Sequence, residues 1–445
     1  MPQGSGELLF DLTELKGTRK STPQPTGIQR TVLEVAQALF QGHTPVDFIC
    51  FHEATQTYHY VDPLKFFDHQ EPFPYWTSDC LGLSLPEPWL EKYQSRPFRR
   101  AFHSTKHATQ LLIARATGKL NGEALLEPVT GTMAPILNMG GIDTQLRLCR
   151  FAEAHDLLDL TYCYIHDLIP VRVKMGHVTA GSGKWQQDLT QVLLRKPHIL
   201  TNSEFTRDDI TQFLIEQGLP FPRLLQTVAL AHELRFPQLE TPRLRELPNH
   251  YFLLVGDIKH RKNALTVFKA YETLARRGMP IELPMLVLAG NIDPKELERM
   301  IDDHELETMA RYIFVVPSPD QQTLAELYRK AEALIYPSLF EGFGMPVGEA
   351  LWMGTPVLAS NTTSIPEVGG KFVTYFDPYR TESLVTCLKK FIEAPSSFRK
   401  KVPKREALRN WHMVAEDLCQ TLTRTWPGRA KKAASAAHRT SNAAG

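Results

Sequence analysis

From residue 251 to residue 376, short apolar runs alternate with amphipathic segments at close spacing, and this restricts the fold more than any other feature. Residues 251–255, 285–289, 313–316, 333–336, 356–359 and 372–376 have strand length and composition. Residues 263–277, 294–304, 321–331 and 347–353 carry helical periodicity between them. Strand and helix in strict turn predict a doubly wound parallel sheet, whose ligands sit at the carboxyl ends of the strands.

The first half repeats the pattern less cleanly. Residues 8–12 predict a first strand, followed by a loop of Gly, Thr, Ser and Pro to residue 25. Thr26-Gly27-Ile28 opens a helix through Phe40, with Val32, Val35, Ala36 and Leu39 on one face. Residues 46–51 form a second strand, 157–165 a strand ending at His166-Asp167, 198–202 a further short strand and 224–230 the last. Ser203-Glu204 caps a helix over 205–217. Residues 68–107 break the rhythm with aromatics and prolines, which marks an irregular insertion over about 68–120. A chain of 445 residues exceeds one ordinary core. The expected division is a Rossmann-like domain over 1–240 and a second over 241–402, facing each other across a cleft. Residues 237–249 are the linker. An amphipathic helix around Trp411, Val414 and Leu418 lies within 403–426, and a disordered basic tail fills 427–445.

A net charge of +1 gives no global field for nucleic acid, and 42% hydrophobic with 22% charged residues reads as soluble and globular. The six cysteines, Cys50, Cys80, Cys149, Cys163, Cys387 and Cys419, are irregularly spaced, as expected of buried free thiols in a reducing compartment. No apolar run approaches a membrane span and no signal segment is visible, so the expected location is the cytoplasm, with any membrane contact peripheral.

Residues 338–370 combine a strand end, a glycine-rich turn and a helix start. Glu341 sits in the turn beside Gly342, Phe343 and Gly344. Glu349 follows eight positions later, about two turns into a helix that begins near Met345 and Pro346. Bare turn amides and a helix N-terminus favour an anion, which suits a diphosphate. Upstream, Gly256 ends a strand, and Arg261-Lys262-Asn263 opens the next helix with two cations that can neutralise a diphosphate. His166 ends a strand in Ile-His-Asp-Leu-Ile-Pro, and Gly27 opens a helix where a backbone can approach a ligand closely. Each of these also has a plain structural reading as a satisfied histidine, a solvated charge pair or a turn. No Asp-X-Asp pair and no His/Cys cluster of zinc spacing occurs, so no metal is expected.

The 338–370 run closely resembles the signature of the retaining family 4 glycosyltransferases of GT-B fold. The strand–glycine then Arg-Lys-Asn pattern and the His-Asp segment resemble it too. The resemblance implies that Glu341 touches the donor sugar and Glu349 holds the ribose. It also implies that Arg261 and Lys262 stabilise the leaving diphosphate, and that His166 lies near donor sugar and acceptor. Gly27, Gly256, Gly342, Phe343 and Gly344 would bring backbone to the donor. It further implies an acceptor-side first domain and a last helix that crosses back onto it. The activity implied is metal-independent transfer of a hexose from a nucleotide diphosphate sugar to a glycan or lipid-linked acceptor, with no cofactor. The opening 8–30 segment looks like enzymes of surface-polysaccharide and lipopolysaccharide assembly, mannosyltransferases among them. The basic, aromatic run from Arg96 to His107 fits either an anionic membrane surface or a solvated face. A nucleotide-sugar epimerase, a phosphorylase and an inactive scaffold subunit share the fold as alternatives.

Overall fold

The computed structural model describes residues 7–15, 25–52, 56–63, 67, 119–120, 123–124, 129, 132–173, 180–236, 247–276 and 283–426. Most of the 68–120 insertion, the Arg96–His107 run, Cys80, residues 237–246 of the linker and the 427–445 tail lie outside them.

Two parallel sheets organise the chain. The first draws on β1 (Leu8–Asp11), β2 (Val46–His52), β3 (Thr57–Val61), β6 (Ile136–Asn138), β7 (Thr161–Ile165), β8 (His198–Thr201) and β9 (Leu225–Thr227). Its order is β3-β2-β1-β6-β7-β8-β9, all parallel except the β2–β3 pair. β4 (Lys119–Leu120) and β5 (Glu123–Ala124) pair separately. The second sheet contains β10 (Tyr251–Val255), β11 (Met285–Gly290), β12 (Ile313–Pro317), β13 (Ala333–Tyr336), β14 (Val357–Ser360) and β15 (Thr374–Phe376). They run in the order β12-β11-β10-β13-β14-β15. Strand order reverses between β1 and β6 in one sheet and between β10 and β13 in the other. These are the two switch points where ligands are expected.

Burial explains the strands. β10, β11, β13 and β14 are apolar almost throughout, as required of strands covered by helices on both faces. The helix Gly27–Gln41 starts in a capping box between Thr26 and Gln29 and buries Val32, Val35, Ala36 and Leu39. The last helix, Trp411–Thr425, buries Trp411, Val414, Leu418 and Leu422 and packs against Gly27–Gln41. Arg409 Nε donates to the Ala229 carbonyl at 2.9 Å and Trp411 Nε1 to that of Glu233 at 3.0 Å, so the chain returns to the first sheet after completing the second.

Several boundaries differ from expectation. The 157–165 strand begins only at Thr161, because Leu158–Leu160 form a 3-10 turn. The 224–230 strand pairs only over Leu225–Thr227, and 372–376 only over Thr374–Phe376. The helix after β10 starts at Ala264, because Asn263 is left-handed (φ 55°). Arg261 and Lys262 therefore precede that helix in a 3-10 turn. Glu349 lies little more than one turn into the helix Met345–Trp352, not two. Among the described residues, no helix is long and apolar enough to cross a membrane.

Candidate active site

The β10–β13 switch point gathers the charged residues. Gly256, just after β10, has a φ of 117°, which an L side chain rarely adopts. A Cβ there would also lie 3.5 Å from Lys262 Cε. The turn brings His260–Lys262 against the segment leaving β13. The Leu339 amide donates to the Arg261 carbonyl at 2.7 Å, and Arg261 Nη1 donates to that of Phe340 at 3.0 Å.

Glu341 is the hub of the site. Its Oε1 accepts from Ser338 at 2.6 Å, Tyr336 at 2.8 Å and Lys262 Nζ at 2.8 Å, and pairs with Arg261 Nη1 at 2.5 Å. The residue is only 7% exposed. Burial alone would raise its carboxyl, but the Lys262 and Arg261 charges outweigh that and hold it at about 2. Lys262 Nζ also stands 5.2 Å over the Tyr336 ring. The three side chains thus form one desolvated cluster, carrying two positive charges and one negative.

The turn that follows is left open on its amide side. The Gly342 carbonyl accepts from Ser203 Oγ at 2.6 Å and Thr206 Oγ1 at 3.2 Å, and that of Phe343 from Ser364 at 3.0 Å. No acceptor for the amides of Gly342, Phe343 and Gly344 occurs among the described residues. Gly344 turns the chain at a φ of 96° into the helix Met345–Trp352. At Gly342 a Cβ would lie 2.0 Å from the His166 carbonyl oxygen, so the two lobes approach there as closely as a bare backbone permits.

Further contacts join the lobes. Glu349 accepts from Tyr328 at 2.9 Å through Oε2 and pairs through Oε1 with Arg30 of the first helix. Gly27 faces Met345, whose Cε would stand 3.2 Å from an added Cβ. The Glu367 carboxylate caps the helix Glu204–Gln217 by accepting from the Glu204 and Phe205 amides, both at 2.7 Å. His166 donates from Nε2 to the Met139 carbonyl at 2.7 Å, since a carbonyl can only accept. Burial lowers its pKa, so the ring is neutral at pH 7 with Nδ1 as a bare acceptor.

Arg261, Lys262, Glu341, Gly256 and the Gly342–Gly344 turn therefore meet at one place, with His166 touching Gly342 from the other lobe. Glu349 and Gly27 lie along the seam marked by Met345. Expectation from sequence did not include Tyr328, Tyr336, Ser338 or Arg30 as partners of the two glutamates. Tyr336 and Ser338 flank the strand end and were open to notice, whereas Arg30 lies in the other lobe. No group of three His, Cys, Asp or Glu side chains among the described residues could hold a metal ion.

Residues 241–409 match the family model described as glycosyl transferases group 1. The chain is 35% identical over 139 residues to O-antigen chain mannosyltransferase B of Escherichia coli, a match covering 30% of this chain and 34% of that relative. It thus spans about a third of that relative's length. Among solved structures, sucrose-phosphate synthase from Thermosynechococcus elongatus superposes with a TM-score of 0.57 at 16% identity, over 94% of this chain and 98% of its own. Anabaena Alr3699/HepE, solved with UDP and glucose, gives 0.54 at 14% identity, over 94% of this chain and 99% of its own. Over residues 241–409 the chain is similar to the glycosyl transferases group 1, and its two sheets take the GT-B fold.

Proposed function

We propose that this protein is a retaining, metal-independent hexosyltransferase that moves mannose from a nucleoside diphosphate donor to a growing surface glycan. The observation that carries the reading is the joining of Arg261 and Lys262, through Glu341, to a turn whose amides face no acceptor among the described residues. Fixed cations and bare amides at a switch point suit a diphosphate. The sugar and the glycan are suggested by the mannosyltransferase relatives.

In this scheme the donor C1–O bond breaks and its electron pair leaves with the β-phosphate. Arg261 and Lys262 stabilise that developing charge, supplying in protein form the compensation a divalent ion would give. Because both are already oriented by Glu341, they need no reorganisation as the bond lengthens. Glu341 offers its second oxygen to a donor hydroxyl, and Glu349 receives the ribose. The acceptor hydroxyl enters on the face the phosphate leaves, and its proton passes to that phosphate. His166, neutral and bound to Met139, contributes an acceptor at Nδ1 rather than a charge.

Thermal unfolding with UDP, GDP and dTDP, in excess chelator, tests the donor half. One of them at a hundred times its dissociation constant should stabilise the protein by about 2.7 kcal/mol. The corresponding mannose donor should then support transfer with retained anomeric configuration. Silence with all three nucleotides, or strict dependence on a divalent ion, would contradict the scheme.

A further inference from the structure

The carboxylate assigned to the ribose is already engaged at both oxygens. Glu349 Oε2 accepts from Tyr328 at 2.9 Å, and Oε1 pairs with Arg30, whose Nη2 also reaches Met345 Sδ at 3.5 Å. The Glu349 side chain is only 5% exposed, so a ribose reaches it by displacing one of these partners. Tyr328 is fixed in the core on the helix Gln321–Lys330. Arg30 has a long, flexible side chain that is 15% exposed, and it is the partner able to leave.

A second carboxylate lies one turn along the same helix. Glu34 stands four positions after Arg30, on the same face of Gly27–Gln41. It is buried, and its Oε2 accepts no hydrogen bond, although Arg235 Nη1 stands 3.4 Å away. Arg235 is shared: its Nε donates to Glu233 Oε1 at 3.1 Å, while Glu233 Oε2 accepts the Trp411 amide at 2.9 Å. The charges acting most strongly on Glu34 are Arg235 and Arg30, which favour its ionised form, and Glu233 and Glu349, which oppose it. The turn Thr13–Leu15 and the last helix pack on the same helix and carry Glu14, His412, Glu416, Asp417 and Arg424, with Asp417 paired to Arg409. Burial outweighs the two cations, and the Glu34 carboxyl is pushed up to about 7. A buried carboxyl with a vacant oxygen thus sits within one helical turn of a guanidinium committed elsewhere.

We propose that Arg30 exchanges carboxylates when the nucleotide enters, the ribose hydroxyls taking Glu349 and the guanidinium turning back along its own helix onto Glu34. This rests on the assignment of Glu349 to the ribose made above. A displaced guanidinium left buried without an anion is strongly unfavourable, and Glu34 supplies the anion. The arriving cation favours the ionised carboxylate, so the proton held by Glu34 passes to solvent. The nucleotide-bound protein then holds fewer protons than the free protein. Its affinity therefore rises with pH up to about 7 and levels off above that, and falls on acidification.

The test is titration calorimetry of the intact wild type, Arg30→Met and Glu34→Gln with whichever of UDP, GDP and dTDP stabilises the wild type most. It is run at pH 6, 7 and 8, in two buffers of different ionisation enthalpy. Relative to Glu34→Gln, wild-type affinity should rise roughly tenfold from pH 6 to pH 8, and binding at pH 7 should release about half a proton more. The phosphate's own proton is common to both chains and cancels in that difference. Arg30→Met should tighten nucleotide binding by roughly fivefold or more, because no resting pair has to be broken. A residue that merely braced the lobes, or held the nucleotide itself, would weaken binding when removed. The form of the same nucleotide lacking its ribose hydroxyls cannot claim Glu349. On the wild type it should release about half a proton less at pH 7 than its parent, a readout that needs no variant. Equal pH dependence in wild type and Glu34→Gln, weaker binding by a folded Arg30→Met, or equal proton release by the two nucleotide forms would overturn the exchange. If the wild type binds none of the three nucleotides, the donor reading itself fails and this inference falls with it.

Discussion

Lys262→Ala is expected to lower kcat/KM for sugar transfer by at least a hundredfold to a thousandfold while leaving the protein folded. Lys262 Nζ is fixed at 2.8 Å from Glu341 and 3.2 Å from the Tyr336 hydroxyl, at the mouth of the Gly342–Gly344 turn. A preorganised donor aimed at developing charge contributes about 3–4 kcal/mol to a transition state, and Lys262 supplies a full charge. Stability should suffer less. Glu341 retains Arg261, Tyr336 and Ser338 after the substitution, so its carboxylate stays satisfied. Steady-state kinetics beside a melting curve separates the two effects. Turnover at the wild-type rate would remove Lys262 from the chemistry.

Glu341→Gln should damage both properties. Glutamine keeps the shape but removes the carboxylate that pairs with both cations, leaving Lys262 without its ion pair and Arg261 with the more distant charge of Asp167. Breaking a buried pair in this way costs about 3–5 kcal/mol, because the remaining charges stay buried without compensation. The sign of the pH dependence follows from the depressed pKa. In the unfolded chain the carboxyl titrates near its ordinary value of 4.5, and in the folded protein at about 2. Its stabilising contribution, roughly 3 kcal/mol, is therefore complete above about pH 4.5 and fades as the pH falls towards 2. The melting temperature of Glu341→Gln should lie well below wild type at pH 7, and the gap should narrow on acidification below pH 4.5. A constant gap across that range would mean the cluster is not held by charge. Transfer should also fall by orders of magnitude, since the variant can neither orient the cations nor accept a donor hydroxyl as an anion.

The second sheet was largely legible because its strands are buried on both faces. Residues 251–255 and 285–289 must then read as unbroken apolar runs, and the glycine turns between strand and helix stand out against them. The first sheet was less so. Its central strand β6 is only Ile136–Asn138, too short for any periodicity, and it is placed by pairing with both β1 and β7. The edge strand β3 alternates weakly and is fixed by antiparallel pairing with β2. At the site, Arg261, Lys262 and Glu341 could be grouped from sequence through the family resemblance, and the strands β10 and β13 that precede them are neighbours in the sheet. Their meeting at a single carboxylate oxygen could not, since it depends on the depth of the 260–262 turn against residues 338–341. Arg30 on Glu349 was beyond reach for a simpler reason. The pair joins residues more than 300 positions apart, through the packing of one lobe on the other.

The central claim is that this cationic turn grips a pyrophosphate, and a crystal structure of the protein with the nucleoside diphosphate that stabilises it most tests that directly. The account predicts β-phosphate oxygens within hydrogen-bonding distance of Lys262 Nζ, the Arg261 guanidinium and the Gly342–Gly344 amides, with the ribose hydroxyls on Glu349. A nucleotide bound at full occupancy with its phosphates away from both cations would contradict it.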